Sequence, residues 1–477
     1  MHTITGVPTS ITAFIGQAKR GPVNEPVRVR SFVEFDHSFG GLWIDSALGQ
    51  TVSQFFENGG SDALVVRVCG IGAATAHVTV GGLSLLAANV GSWGNNLEAT
   101  IDLPATEGDI FNLSIKDTLT GASETFIDLS TNVNDASLVT KVLEQNSNLV
   151  RINPYDVLPT PKPTADTQTL NGGTDGSNIT DDDISASTLV GQKHGLWALE
   201  KADLFNLLCI PPLIPAGEIG LQTREAAANY CNARRALFIV DPPTNWTSPS
   251  TAISGVDTLM AKTSNAAVFF PLLRAPDPLR DGQISDFAPC GAVAGVMART
   301  DAERGVWKAP AGNGATLKGI AWLSVTLTDG ENGQLNPLGI NCLRSFPTMG
   351  CVVWGARTLR GADQLADEYK YIPVRRLSLF IEESLYRGTQ WAVFEPNGES
   401  LWAQIRLDIS AFLNSLFRQG AFQGATPREA YFVKCDKDTT TQDDINLGVV
   451  NIIVGFASLK PAEFVVIRIQ QIAGQTQ

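Results

Sequence analysis

Three consecutive acids, Asp181, Asp182 and Asp183, form the densest group of potential ligands in the 477-residue chain. Clustered carboxylates can hold a calcium ion. They also directly follow Thr180, and a Thr N-cap with acids in the first turn satisfies free N–H groups and the positive end of a helix dipole. The spacing therefore predicts a capped helix here, not a cation site. Gly312 to Gly319, GNGATLKG, has the glycines of a phosphate-binding loop but lacks the Gly-Lys-Ser/Thr ending that places a lysine on the phosphates. Glu382 and Glu383 are adjacent, and adjacent side chains on a helix diverge, so a solvated or interface face is expected instead of an acid–base pair. The four histidines, His2, His37, His77 and His194, lie far apart and show no metal-ligand spacing. There is no Walker A sequence, no HExxH and no GxSxG elbow. The expectation is a chain with no catalytic, cofactor-binding or metal-binding residues, needing no cofactor.

Composition narrows the class further. With 35 basic and 48 acidic residues the formal net charge is −13, which argues against non-specific nucleic-acid binding. Hydrophobic residues at 44% and charged residues at 17% describe a globular chain, long enough for two or three domains. Seven cysteines are scattered, mostly within apolar runs and without any CxxC pair, as expected of buried free thiols in a reducing compartment. The N-terminal stretch lacks the basic and apolar regions of a Sec signal, and no segment approaches the ~20 apolar residues of a membrane span. Neither Sec export nor direct membrane insertion is expected.

The elements that would position any site follow an α/β order. Ile11 to Ile15 reads as a strand, SALGQTVSQFFENGG as a helix closing on Gly59-Gly60, and ALVVRV as a buried strand. From Gly91 the texture changes to short alternating runs (LEATIDL, IFNLSIKD). Pro-, Thr- and Gly-rich stretches follow over residues 153–180, predicting a β-rich insertion. The α/β pattern then resumes in DLFNLLCIPPL, RRALFIVDPP and NAAVFFPLL, separated by helical segments. These runs favour a mixed or parallel sheet between helices, shared by the pieces on either side of the insertion.

The last hundred residues are the most patterned. YKYIPVRRL reads as extended, on the restriction that Pro373 imposes before it. In SLFIEESLYRG, Leu377, Phe380, Ile381 and Leu385 share a helical face ending at Gly388. In LWAQIRLDISAFLNSLFRQG, Trp402, Ile405, Ile409, Phe412, Leu413 and Leu416 recur at helical spacing, with Gly420 at a C′ position. Strand-like runs follow at AYFVKCD, VVNIIVGFA and EFVVIRIQQ. In the last, Phe464, Val466 and Arg468 alternate with Val465, Ile467 and Ile469, so both faces are largely apolar. Such a terminal strand must be covered, paired within its own sheet, or paired with another chain.

These residues carry a resemblance. YIPVRRLSLFIEESLYRGTQWAVFEPN, LWAQIRLDISAFLNSLFRQGAFQG, AYFVKCD and IIVGFASLKPAEFVVIRI together resemble the C-terminal domain of contractile tail sheath proteins, found in phage tails and extracellular contractile injection systems. TAFIGQAKRGPVNEPVRVRSFVEFDHSFGG, FFENGGSDALVVRV and LNGGTDG (Leu170 to Gly176) are similar to the same family. The resemblance implies a multi-domain mixed α/β (α+β) sheath fold. Its expected division is an N-terminal part of the core α/β domain at 1–90 with a short arm, and a β-rich surface insertion at 91–190. The core domain would resume at 191–370, followed by a C-terminal assembly domain at 371–460 and a C-terminal strand at 461–477.

It further implies a non-enzymatic structural subunit that polymerises around an inner tube and contracts to drive the tube through a target envelope. The alternative is a soluble α/β enzyme or ligand-binding protein whose site carries no recognised motif. The implied partners are other sheath subunits, an inner tube protein, and baseplate and terminal cap proteins, with no nucleic acid. The implied setting is assembly in the bacterial cytoplasm as part of a phage tail or tail-like particle. The subunit-linking strand would be Glu463, Phe464, Val465, Val466, Ile467, Arg468, Ile469 and Gln470. The tube contact would involve Asn414, Arg418, Gln419 and Phe422.

Overall fold

The computed structural model describes residues 2–105, 108–215 and 217–463. The opening piece supplies β1 (Thr12–Gly16), β2 (Val27–Val29), α1 (Phe32–Phe39), α2 (Leu48–Glu57) and β3 (Ala63–Arg67). Ser31 starts α1 by accepting the Glu34 N–H, and Gly40 ends it at φ +84°, a left-handed turn that glycine adopts without strain.

A β-rich module then interrupts the α/β order. It contains β4 (His77–Val80), β5 (Leu83–Ala87), β6 (Leu97–Asp102), β7 (Ile110–Asp117), β8 (Ser123–Ser130), α3 (Val139–Asn146), β9 (Val150–Ile152) and β10 (Asp166–Thr169). These strands form a four-stranded sheet, β10-β6-β7-β8, and a three-stranded one, β4-β5-β9. The two enclose their own core, running from Ala76 to Leu170. Ala74 pairs with Thr174 and His77 with Asn171, which closes the neck. The module thus begins and ends earlier than the expected 91–190. The cause is long-range: the strands on either side of Gly81-Gly82 are short, and what commits them to the module is pairing with residues about 65 to 95 positions away.

After the neck come α4 (Asp181–Ser185), β11 (Leu207–Cys209), α5 (Leu221–Ala233), β12 (Leu237–Val240), α6 (Pro249–Gly255) and β13 (Ala266–Phe270). Beyond them lie the hairpin β14 (Leu273–Asp277) and β15 (Gln283–Phe287), α7 (Cys290–Arg304) and β16 (Trp322–Leu323), which pairs with β14. The domain ends with α8 (Asp329–Leu335), β17 (Ile340–Phe346) and β18 (Gly350–Val353).

The central sheet runs β18-β17-β13-β12-β11-β1-β3-β2. The six inner strands are parallel, and the two edge strands pair antiparallel. Both flanking pieces therefore build one sheet, with β1 paired to β3 on one side and β11 on the other. Parallel strands covered on both faces must be apolar throughout. Accordingly Ala13 and Ile15 join the core that includes Ala227 and Cys231 of α5, while Phe14 joins the opposite core with Phe55 of α2 and Val293 of α7.

The C-terminal domain is built on α9 (Ile372–Gly388) and α10 (Glu399–Arg418), with a two-stranded sheet of β19 (Tyr431–Lys434) and β20 (Ile453–Phe456). YKYIPVRRL is not extended beyond its start. Tyr371 alone keeps an extended backbone as N-cap (φ −105°, ψ 136°), and Pro373 sits in the first helical turn. A proline there removes only an N–H that has no intrahelical acceptor, so it starts the helix. The N-terminal segment crosses this domain: Ile4 enters its core, the Val7 N–H donates to Ser384 Oγ at 3.2 Å, and His2 stacks on Trp391 at 4.2 Å.

Candidate assembly surface

Helix α9 is the joint between the core and C-terminal domains. Ile372 lies in the core of the central sheet, whereas Leu377 and Ile381 lie in that of the C-terminal domain. Its charged residues act as rivets. Arg376 and Asp301 form a pair whose side chains are each 4% exposed, with Nη2 to Oδ2 at 2.6 Å, and Arg376 also donates to the Thr9 carbonyl at 2.8 Å. Arg375 donates to Asn265 Oδ1 at 3.0 Å. Glu383 is not on a solvated face: it is buried and accepts from Arg387 Nε at 2.6 Å and from Arg235 Nη1 at 2.8 Å. Glu382 accepts from Ser378 Oγ and also reaches Arg235, its Oε2 lying 3.9 Å from Nε, so the two carboxylates share one guanidinium.

The root of the C-terminal segment is anchored in the core domain. Glu463 takes a bidentate fork from Arg357, Nε to Oε1 at 2.7 Å and Nη2 to Oε2 at 2.5 Å. Asn336 Nδ2 and Tyr371 OH donate to the same carboxylate. Burial opposes the ionisation of Glu463, but the hydrogen bonds from Arg357 and Asn336 outweigh it and hold the carboxyl below its ordinary range. Arg357 is 1% exposed, so this pair is shielded from solvent on its cationic side. The remaining members of the expected linking strand, Phe464 to Gln470, lie outside the described residues.

The end of α10 separates into two faces. Phe412, Leu413 and Leu416 are buried in the domain core. Arg418 and Gln419 are exposed, Asn414 is half-buried, and Gly420 terminates the helix at φ +81°. Phe422 departs from the expectation of a tube contact. It is buried, and its ring packs against Tyr431 and Phe456 at 6.2 and 5.6 Å, because the chain turns inward after Gly420 to meet the two-stranded sheet.

The chemical candidates resolve into structural roles. The Thr180 N–H and Oγ1 donate to Asp183 Oδ2 at 2.8 and 2.9 Å. Asp181 accepts the Gly220 N–H, and Asp182 accepts from Gln222, so the three carboxylates do not converge. The GNGATLKG segment runs along β18, where Leu317 donates to the Cys351 carbonyl and Val353 to the Ala315 carbonyl; two of its backbone groups are thereby engaged by the sheet edge. Among the described residues no three His, Cys, Asp or Glu side chains converge to hold a metal ion. All seven cysteines are free and six are buried, and burial pushes the Cys209, Cys231 and Cys290 thiols up.

A cavity of about 470 Å³ opens at the carboxyl ends of β11, β12 and β13, beneath the β14–β15 hairpin. At its base Asp241 Oδ1 accepts the Cys290 N–H at 2.8 Å, while Oδ2 has no partner and is shut off from solvent. Burial raises this carboxyl to about 7. Trp43, Ile44 and Pro212 are among the apolar walls, and no His or Lys is among the described lining residues.

These features define a multi-domain α/β subunit whose most organised charges rivet domains together and anchor a terminal segment. Residues 366–472 match the phage tail sheath C-terminal domain, and residues 224–359 match the phage tail sheath protein central domain, together just over half of the chain. The chain belongs to the contractile tail sheath family. The tail sheath protein of Vibrio phage KVP40 is 32% identical over 127 residues, 26% of this chain and 18% of its own length. That of Enterobacteria phage T4 is 24% identical over 265 residues, 55% of this chain and 36% of its own length. The chain therefore spans well under two thirds of these relatives. The contracted helical sheath of the anti-feeding prophage has the same fold, with a TM-score of 0.60 at 22% identity over 98% of this chain and 95% of that one.

Sequence reasoning missed the Arg357–Glu463 and Arg376–Asp301 pairs. Their members are 106 and 75 positions apart, and no local spacing marks them.

Proposed function

We propose that this chain is a sheath subunit that polymerises around an inner tube and contracts to drive the tube through a target envelope. The family match across the central and C-terminal domains carries this reading. The riveted α9 joint supports it, since a subunit that transmits force needs its domains to move as one body. In such a machine the subunits rotate and shift as rigid bodies between two packing arrangements, and the linkage between them must survive the change.

Phe464 to Gln470 would supply that linkage by main-chain strand addition to a neighbouring copy, with Glu463 as its fixed root. Exposed Arg418 and Gln419, with Asn414 beside them, would face the tube through a few screened polar contacts that release on contraction. Other sheath subunits, an inner tube protein, a baseplate and a terminal cap are the partners in this reading. Assembly takes place in the bacterial cytoplasm, within a phage tail or tail-like particle. Baseplate and helical-sheath assemblies of the anti-feeding prophage contain chains of this fold, which supports the first and third of these partners. Negative-stain microscopy of the purified full chain tests the proposal. Rings or helical tubes are expected, and uniform monomers at all concentrations would contradict it.

A further inference from the structure

Phe394 has left-handed backbone geometry, φ +70°, and its side chain is fully exposed. A non-glycine residue in that region is strained, because its Cβ crowds the following carbonyl oxygen. The loop is nevertheless fixed: the Val393 N–H donates to the Gln390 carbonyl and the Glu395 N–H to the Ala392 carbonyl. Asn397 accepts from Trp402 Nε1 and donates to the Val449 carbonyl, both at 2.9 Å. Val393, next in the chain, is also exposed, and Glu395 on the other side is exposed without an ion-pair partner among the described residues. A preorganised aromatic tip with a carboxylate at its shoulder is the chemistry of a docking anchor.

The complementary surface is on the same chain. A groove of about 620 Å³ lies where the segment leading to Glu463 crosses the core domain, walled by Trp307, Trp354 and Pro461. Arg304, Lys308 and Lys460 stand on its rim, and none of the three makes an ion pair among the described residues. Lys308 has only the Ala309 carbonyl as acceptor, at 2.8 Å. Gly420, just beyond the C-terminus of α10, also lines the groove, whereas the Phe394 loop precedes the N-terminus of α10. Tip and groove are therefore separated by a 20-residue helix, about 30 Å, and one copy cannot join its own two surfaces.

We infer that the Phe394–Glu395 tip of one copy docks into the Trp307–Lys308 groove of a second copy of this chain. A contact between two different patches is head-to-tail, and such contacts build rings or open helices instead of closed dimers. The inference rests on the self-assembly reading above and names one of its interfaces.

A charge exchange tests it, with polymer scored by sedimentation and negative stain and folding by thermal melts. Glu395→Lys and Lys308→Glu should each lower the polymer fraction about tenfold, and the double variant should return it to within about twofold of wild type. If Lys308→Glu fails to fold, Arg304→Glu on the exposed rim serves as the partner reversal. Phe394→Gly relieves the strained backbone, so it should keep or raise the melting temperature while reducing polymer. Wild-type polymerisation by Glu395→Lys or Phe394→Gly, or a double variant no better than the singles, would overturn this interface alone. A wild-type chain that never polymerises would remove the assembly reading, and this contact with it.

Discussion

Asp241 and the Arg376–Asp301 pair handle buried charge in opposite ways. Asp241 has no cation hydrogen-bonded to it, and burial holds its carboxyl near about 7, against ~3.9 in an unfolded chain. Because the folded value is the higher, folding favours the protonated form. That stabilisation is complete below about pH 4 and is lost as pH rises to about 7. The change through this one group is at most about 4 kcal/mol. Asp241→Asn keeps an acceptor for the Cys290 N–H and removes the titration, so its stability relative to wild type should increase between pH 5 and pH 8. Urea midpoints at the two values check this, and an unchanged difference would refute it. In the Arg376–Asp301 pair, each charge depends on its partner. Arg376→Met should cost ~3–5 kcal/mol by leaving Asp301 buried and uncompensated. Arg376→Met with Asp301→Leu should recover most of that loss in a denaturant-based double-mutant cycle; a purely additive result would show the two residues to be independent.

At the level of elements, α10 presents a buried apolar face and an exposed polar one. Phe412→Ala should destabilise the fold by ~3–5 kcal/mol, as a core cavity does. Arg418→Glu should leave the melting temperature unchanged and, if the proposed tube contact holds, weaken co-assembly with an inner tube, most at low salt where repulsion is least screened. Equal effects of the two substitutions on stability would erase the distinction between faces. Much of this element was legible because Trp402, Ile405, Ile409 and Leu416 repeat at the helical period. The parallel strands were legible because burial on both faces makes them continuous apolar runs. Helix α9 was misread at its start, where the rule for the residue before proline competes with the tolerance of proline in a first turn. The burial of Phe422 and exposure of Phe394 were not legible, since both depend on where the chain turns in space. The neck of the β-rich module was also hidden, because it is a pairing of Ala74 with Thr174 across 100 positions. Those two residues are paired neighbours, so a short Gly-Ser linker in place of residues 75–173 should leave the central sheet folded with a cooperative melt. Loss of that transition would make the module part of the core.

Across the whole molecule, the two domains and the N-terminal segment are held as one body by α9, by the ion pairs along it, and by Ile4 in the C-terminal core. Glu463, the root of the expected linking strand, is fixed to this body by Arg357. In the proposed reading, a linking segment rooted at Glu463 would suit a lattice that changes its packing without losing its connections. The most direct test compares the full chain with one ending at Glu463, by melting temperature and by negative-stain microscopy under the same conditions. The expected result is rings or helical tubes from the full chain, and folded monomers of nearly equal melting temperature from the shortened one. Tubes from both would show that the terminal segment does not link subunits, and monomers from both would contradict the assignment as a sheath subunit.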